Sequence, residues 1–78
     1  MEETRIKQDE ICIGKNIREV RIEKGIGQTE LVRKLQLQGV DITSETLVKI
    51  ERGIQHIKAS QLRAIKNELN TTYDRLLK

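Results

Sequence analysis

The chain has no proline, tryptophan or phenylalanine, a single cysteine, a single histidine and a single aromatic residue, Tyr73. Cys12 has no second cysteine with which to form an internal disulfide, which suits a reducing cytoplasm. One Cys and one His (His56) cannot furnish the three or four ligands of a zinc site. Apolar runs stop at three or four residues, too short to span a membrane. Residues 1–10 are charged and contain no apolar stretch of the kind a signal peptide requires. Low-complexity segments and internal repeats are also absent.

The common catalytic constellations are missing too. There is no paired Cys/His or Ser/His arrangement and no Gly-rich phosphate loop, and Asp9, Asp41 and Asp74 are scattered. The expectation is a protein that is not an enzyme, with no cofactor, no metal and no small-molecule ligand.

What remains is 78 residues, room for one small core. A 35% charged and 36% apolar mixture, rich in Ile, Leu, Lys, Glu and Gln, is the composition of a small all-helical domain. The net charge of +3 is unevenly spread. Residues 1–27 balance to zero, whereas Lys49, Arg52, Lys58, Arg63 and Lys66 face Glu51 alone across residues 49–66.

The hydrophobic pattern reads as five short helices cut by glycines, with no alternating strand pattern. Residues 1–12 form an N-terminal segment expected to be frayed or extended, and residues 13–78 form the domain. Ile13, Ile17 and Val20 fall on one face of a first helix, ended by Gly25. Gln28 opens a second, with Leu31, Val32, Leu35 and Leu37 on its apolar face and Gly39 at its end. Thr43 is a good N-cap for a third, Glu45 suits its first turn, and Leu47 and Ile50 point inward. Ser60 is the expected cap of a fourth, with Leu62, Ile65 and Leu69 inside and Asn70 ending it in the left-handed conformation. Thr72 caps a last turn, in which Tyr73, Leu76 and Leu77 suit either the core, the preferred reading, or a dimer contact.

The stretch Ile17 to Val32, with Arg21, Gly25 and Gln28 in place, resembles the opening of the Cro/C1-type (XRE-like, phage-repressor-like) helix-turn-helix domains of bacteria and phage. So does Thr46-Leu47-Val48-Lys49-Ile50-Glu51-Arg52-Gly53. The resemblance covers about residues 13–77. It implies a compact lambda-repressor-like bundle of about five short helices and a sequence-specific DNA-binding transcriptional regulator, by family tendency a repressor.

The resemblance also implies roles. Arg21 on the first helix and Glu51 on the third would pair across the core and hold the fold. A recognition helix over about residues 43–52 would enter the operator major groove, offering Thr43, Ser44, Glu45, Val48 and Lys49 to base edges. Gln28, Arg52, His56 and Lys58 would meet phosphates. Plainer readings stand beside these: Gln28 as a polar helix opener, Ser44 and Glu45 as a helix start, Val48 as core, and the basic residues as a solvated face. A single small module binds limited DNA surface, so the expected partner set is double-stranded DNA plus a second copy, a homodimer formed free or only on a palindromic site. The rival is a helix-turn-helix-derived protein-interaction module with weak or no DNA binding.

The sequence departs from the family pattern in places. Sixteen steps separate Leu31 from Leu47, against about eleven, so the second helix runs on by a turn or the connection around 38–42 bulges. Val32 replaces a usual alanine, Ile57-Lys58 replaces a Pro-Ser start to the fourth helix, and Lys66 stands where a small residue is usual.

Overall fold

The computed structural model describes Arg5–Ile6 and residues 12–78. The expectation of a flexible segment over residues 1–12 lies for the most part outside the described residues. Among the described residues five helices dominate: α1 (Ile13–Glu23), α2 (Gln28–Leu37), α3 (Ser44–Glu51), α4 (Ala59–Glu68) and α5 (Tyr73–Leu77). Two strands of two residues, β1 (Arg5–Ile6) and β2 (Ile57–Lys58), pair antiparallel, with Arg5 opposite Lys58 and Ile6 opposite Ile57. The sequence pattern did not anticipate this ladder, because two residues are too few to show an alternation.

The helix ends follow local backbone chemistry. Gly25 takes φ +70°, which lets its N–H donate to the Ile22 carbonyl and the Ile26 N–H to the Arg21 carbonyl, closing α1. Asn70 adopts φ 52° after α4, where a short polar side chain tolerates the left-handed region. Thr43 caps α3 as expected, its hydroxyl accepting from the Thr46 N–H at 3.1 Å. Thr72 does the same for α5, accepting from the Arg75 N–H at 3.2 Å.

Two local expectations are corrected. Helix α4 begins at Ala59, with Lys58 rather than Ser60 at the cap position. The extended backbone of β2 runs straight into the helix, and the Gln61 side chain in its first turn reaches back to accept from the Lys58 N–H at 2.9 Å. Leu37 is not on the apolar face of α2 but 82% exposed. It follows Leu35 by two residues, about 200° around a helix, and so points the opposite way.

The core draws on every helix. Ile13, Ile17 and Val20 of α1 meet Leu31, Val32 and Leu35 of α2, Leu47 and Ile50 of α3, Leu62 and Ile65 of α4 and Leu76 of α5, with Ile42 and Ile57 contributed by the connections. At the C-terminal end Leu76 is core and Leu77 is half-buried against it, but the preferred core reading fails for Tyr73, which is exposed with the Lys66 ammonium 5.0 Å over its ring.

Polar contacts complete the docking of α5. The buried Asn16 side chain of α1 donates to the carbonyls of Leu76 at 2.9 Å and Lys78 at 3.3 Å, groups that a five-residue helix cannot satisfy alone. Arg75 reaches back to Glu23 at 3.1 Å and Glu19 at 3.8 Å. Asn16→Ala is expected to destabilise the domain by about 1–2 kcal/mol, since it leaves a buried carbonyl unpaired. Thermal melting checks this, and an unchanged midpoint would mean that water takes over the bond.

Candidate nucleic-acid interface

Helix α3 has two distinct sides. Leu47, Ile50 and Glu51 are buried, whereas Ser44, Glu45, Lys49 and Arg52 at its C-cap are exposed. At 3.6 residues per turn, positions 44, 45, 48, 49 and 52 share an outward arc of about 140°. Val48 lies within that arc but is half-buried, so it offers less surface than its neighbours. Thr43 is exposed just before the arc, but its hydroxyl is already engaged: it accepts from Thr46 N–H and donates to Thr46 Oγ1 at 3.0 Å. Lys49 Nζ lies 3.9 Å from Glu45 Oε1, an i,i+4 pair along the arc.

The inward side of α3 is locked by an ionic clamp. Arg21 of α1 donates through Nε to Glu51 Oε2 at 2.8 Å and through Nη2 to Glu51 Oε1 at 2.9 Å, a two-pronged contact. The Glu51 side chain is 1% exposed, so little water screens the pair. Arg21 Nη1 donates in addition to the Ile26 carbonyl at 2.9 Å, tying in the turn between α1 and α2. The pairing implied by the resemblance is thus present.

Gln28, the first residue of α2, joins the same clamp: its Nε2 donates to Glu51 Oε1 at 3.0 Å. Its side chain is half-buried and directed at a carboxylate of the protein, which was not foreseen. The result is one carboxylate that holds α1, the start of α2 and the end of α3 together. Close contact supports it. Gly14 of α1 lies so near α3 that a Cβ there would meet the Ile50 carbonyl oxygen at 1.8 Å.

The long connection between α2 and α3 resolves both ways: α2 continues through Leu37, and residues 38–43 then cross to α3. Gly39 at φ +84° turns the chain, and the Val40 N–H donates to the Leu35 carbonyl. Gln36 Nε2 donates to the Ile42 carbonyl at 2.9 Å, and the buried Gln61 of α4 donates to the Asp41 carbonyl at 3.0 Å. Ile42 is 3% exposed and plugs the core. Thr43 therefore starts α3 from an anchored position.

The remaining basic candidates lie after α3. Arg52 and His56 are exposed, while Lys58 is half-buried in β2 with its backbone paired. Lys34 is engaged by Glu30 at 3.4 Å and Glu68 at 3.7 Å. Arg33 and Arg63 face solvent.

Sequence reasoning missed Gly14, Asn16, Gln36 and Gln61. A glycine inside a helical pattern carries a propensity penalty and so hints at close packing. The three amides left no signal, because their partners are backbone carbonyls set only by folding. No family model, curated protein or solved structure matches the chain.

Proposed function

We propose that the chain is a sequence-specific DNA-binding transcriptional regulator of helix-turn-helix type, acting as a repressor in the cytoplasm. α3 would enter the operator major groove, and a homodimer would occupy a palindromic site. The observation that carries this reading is the exposed arc of Ser44, Glu45, Lys49 and Arg52 on a helix whose other side is locked by Arg21, Glu51 and Gln28. A recognition surface of this kind needs rigid support, since reading a base edge depends on placing donors to within a fraction of an ångström. The basic excess over residues 49–66 suits a phosphate backbone, where each neutralised phosphate releases counterions.

The test is selection of bound sequences from randomised duplex DNA, with affinity followed across a salt series. An enriched two-fold-symmetric motif with half-sites about one helical turn apart is the expected result. A second reading, a protein-docking module, is favoured by the half-buried Val48 on the arc and by the exposure of Leu37 and Ile54 at 82% and 63%. Docking through apolar surface predicts no enrichment and little salt dependence, whereas phosphate contact weakens steeply with salt.

Lys49→Ala is expected to lower affinity for the selected site about tenfold and to leave melting nearly unchanged. Titration of the variant against that site, beside a thermal melt, checks this. Undiminished affinity would remove Lys49 from the contact set.

A further inference from the structure

The pairing of Glu45 with Lys49 on the outward arc has a consequence for which sequence α3 would read. Glu45 sits in the first turn with its side chain 82% exposed, and its carboxylate projects from the surface that would face DNA. A carboxylate there is repelled by phosphates and must shed water on docking, so it is unfavourable wherever no donor meets it. The Lys49 ammonium, 3.9 Å away, presents donors directly beside those acceptors. Donor and acceptor are thus offered side by side at a fixed order along the helix.

Only some base-pair edges match that order. In the major groove a C·G pair shows the cytosine N4 amino donor next to the guanine O6 and N7 acceptors. The carboxylate can accept from N4 while the ammonium donates to O6 and N7, and nothing on the outer side of N4 repels the carboxylate. An A·T pair places its N6 amino group between two acceptors, adenine N7 and thymine O4, so a carboxylate drawn to N6 meets a lone pair on either side.

Resting on the DNA-binding reading above, we infer that Glu45 and Lys49 act together as a reader of one C·G base pair in each half-site. Glu45 is the specificity-determining member. It weakens binding to every site lacking the cytosine, and Lys49 supplies the favourable contact when the guanine is present.

Selection from randomised duplex DNA with the wild type, Glu45→Ala and Lys49→Ala tests this. Both side chains are partly or largely exposed, at 82% and 48%, so both variants should fold, as circular dichroism would verify. The wild type is expected to select C·G at one half-site position and to lose roughly five- to hundredfold in affinity when that pair is changed. Each variant is expected to lose preference at that same position and keep the rest of the motif. Glu45→Ala should also bind unrelated duplex several-fold more tightly at moderate salt, as removing a carboxylate from a phosphate surface requires. A Glu45→Ala motif identical to the wild type, or losses at two different positions for the two variants, would overturn the inference while leaving DNA binding intact. Failure of the wild type to bind duplex DNA even at low salt would overturn the DNA-binding reading itself, and the inference with it.

Discussion

Gly14→Ala is expected to lower the melting temperature by at least about 12 °C, with a loss of about 3 kcal/mol or more. The added Cβ would stand 1.8 Å from the Ile50 carbonyl oxygen, 2.8 Å from its carbon and 3.0 Å from Glu51 Cα. All three are backbone atoms of α3, so no side chain can rotate out of the way. Helix propensity pulls the other way, favouring alanine by only about 1 kcal/mol, and the steric term wins. A domain of this size has a total stability of about 4–12 kcal/mol, so the loss is a large share of it. Gly27→Ser provides the contrast. Gly27 has φ −76° at the N-cap of α2, and a Cβ there meets nothing within 4 Å. Serine is a better N-cap and narrows the unfolded ensemble, so this variant is expected to melt at or above the wild-type temperature. Both midpoints come from one set of thermal melts, and a Gly14→Ala protein as stable as the wild type would show that α1 and α3 can separate freely.

Glu51→Ala is expected to destabilise the domain by about 3–5 kcal/mol. The substitution removes the acceptor of Arg21 Nε and Nη2 and of Gln28 Nε2 in one step. Arg21 is 8% exposed and would remain charged with little water to replace its partner. Much of the loss therefore reflects an abandoned charge and not the intrinsic worth of the pair. The double variant Arg21→Met/Glu51→Leu separates the two, because it leaves no buried charge behind. It is expected to lie well above Glu51→Ala in stability, short of the wild type by the bonds that Arg21 Nη1 makes to the Ile26 carbonyl and Gln28 Nε2 makes to Glu51. Denaturant melts of the wild type, the single variant and the double variant measure this. A double variant no better than Glu51→Ala would mean that the clamp stabilises through its attraction and geometry, not through the avoidance of a stranded charge.

The parts of this molecule that were legible in the sequence depend on residues a few positions apart. Gly25, Gly39 and Asn70 end helices because their own backbone must reach positive φ, at +70°, +84° and 52°. Thr43 and Thr72 cap helices through amides three residues ahead. The same short range made the exposed arc of Ser44, Glu45 and Lys49 readable, since burial of Leu47 and Ile50 leaves those positions outside. Where competing local chemistry existed, the reading failed. Ser60 looked like a cap, but Gln61 satisfies the Lys58 amide from within the helix.

Apart from the start of α4 and the side taken by Leu37, the sequence by itself determined where the helices start and stop and which side of each is apolar, because capping and periodicity act within one or two turns of the chain. The tertiary structure alone decided which groups meet across it. Gln28 meets a carboxylate 23 residues on, Asn16 meets a carbonyl 60 residues on, and Gly14 lies against Ile50. Such contacts arise only when the apolar faces have packed and burial has made every unpaired polar group costly, so each partner is chosen by the geometry of that packing and carries no signature in the local order of residues.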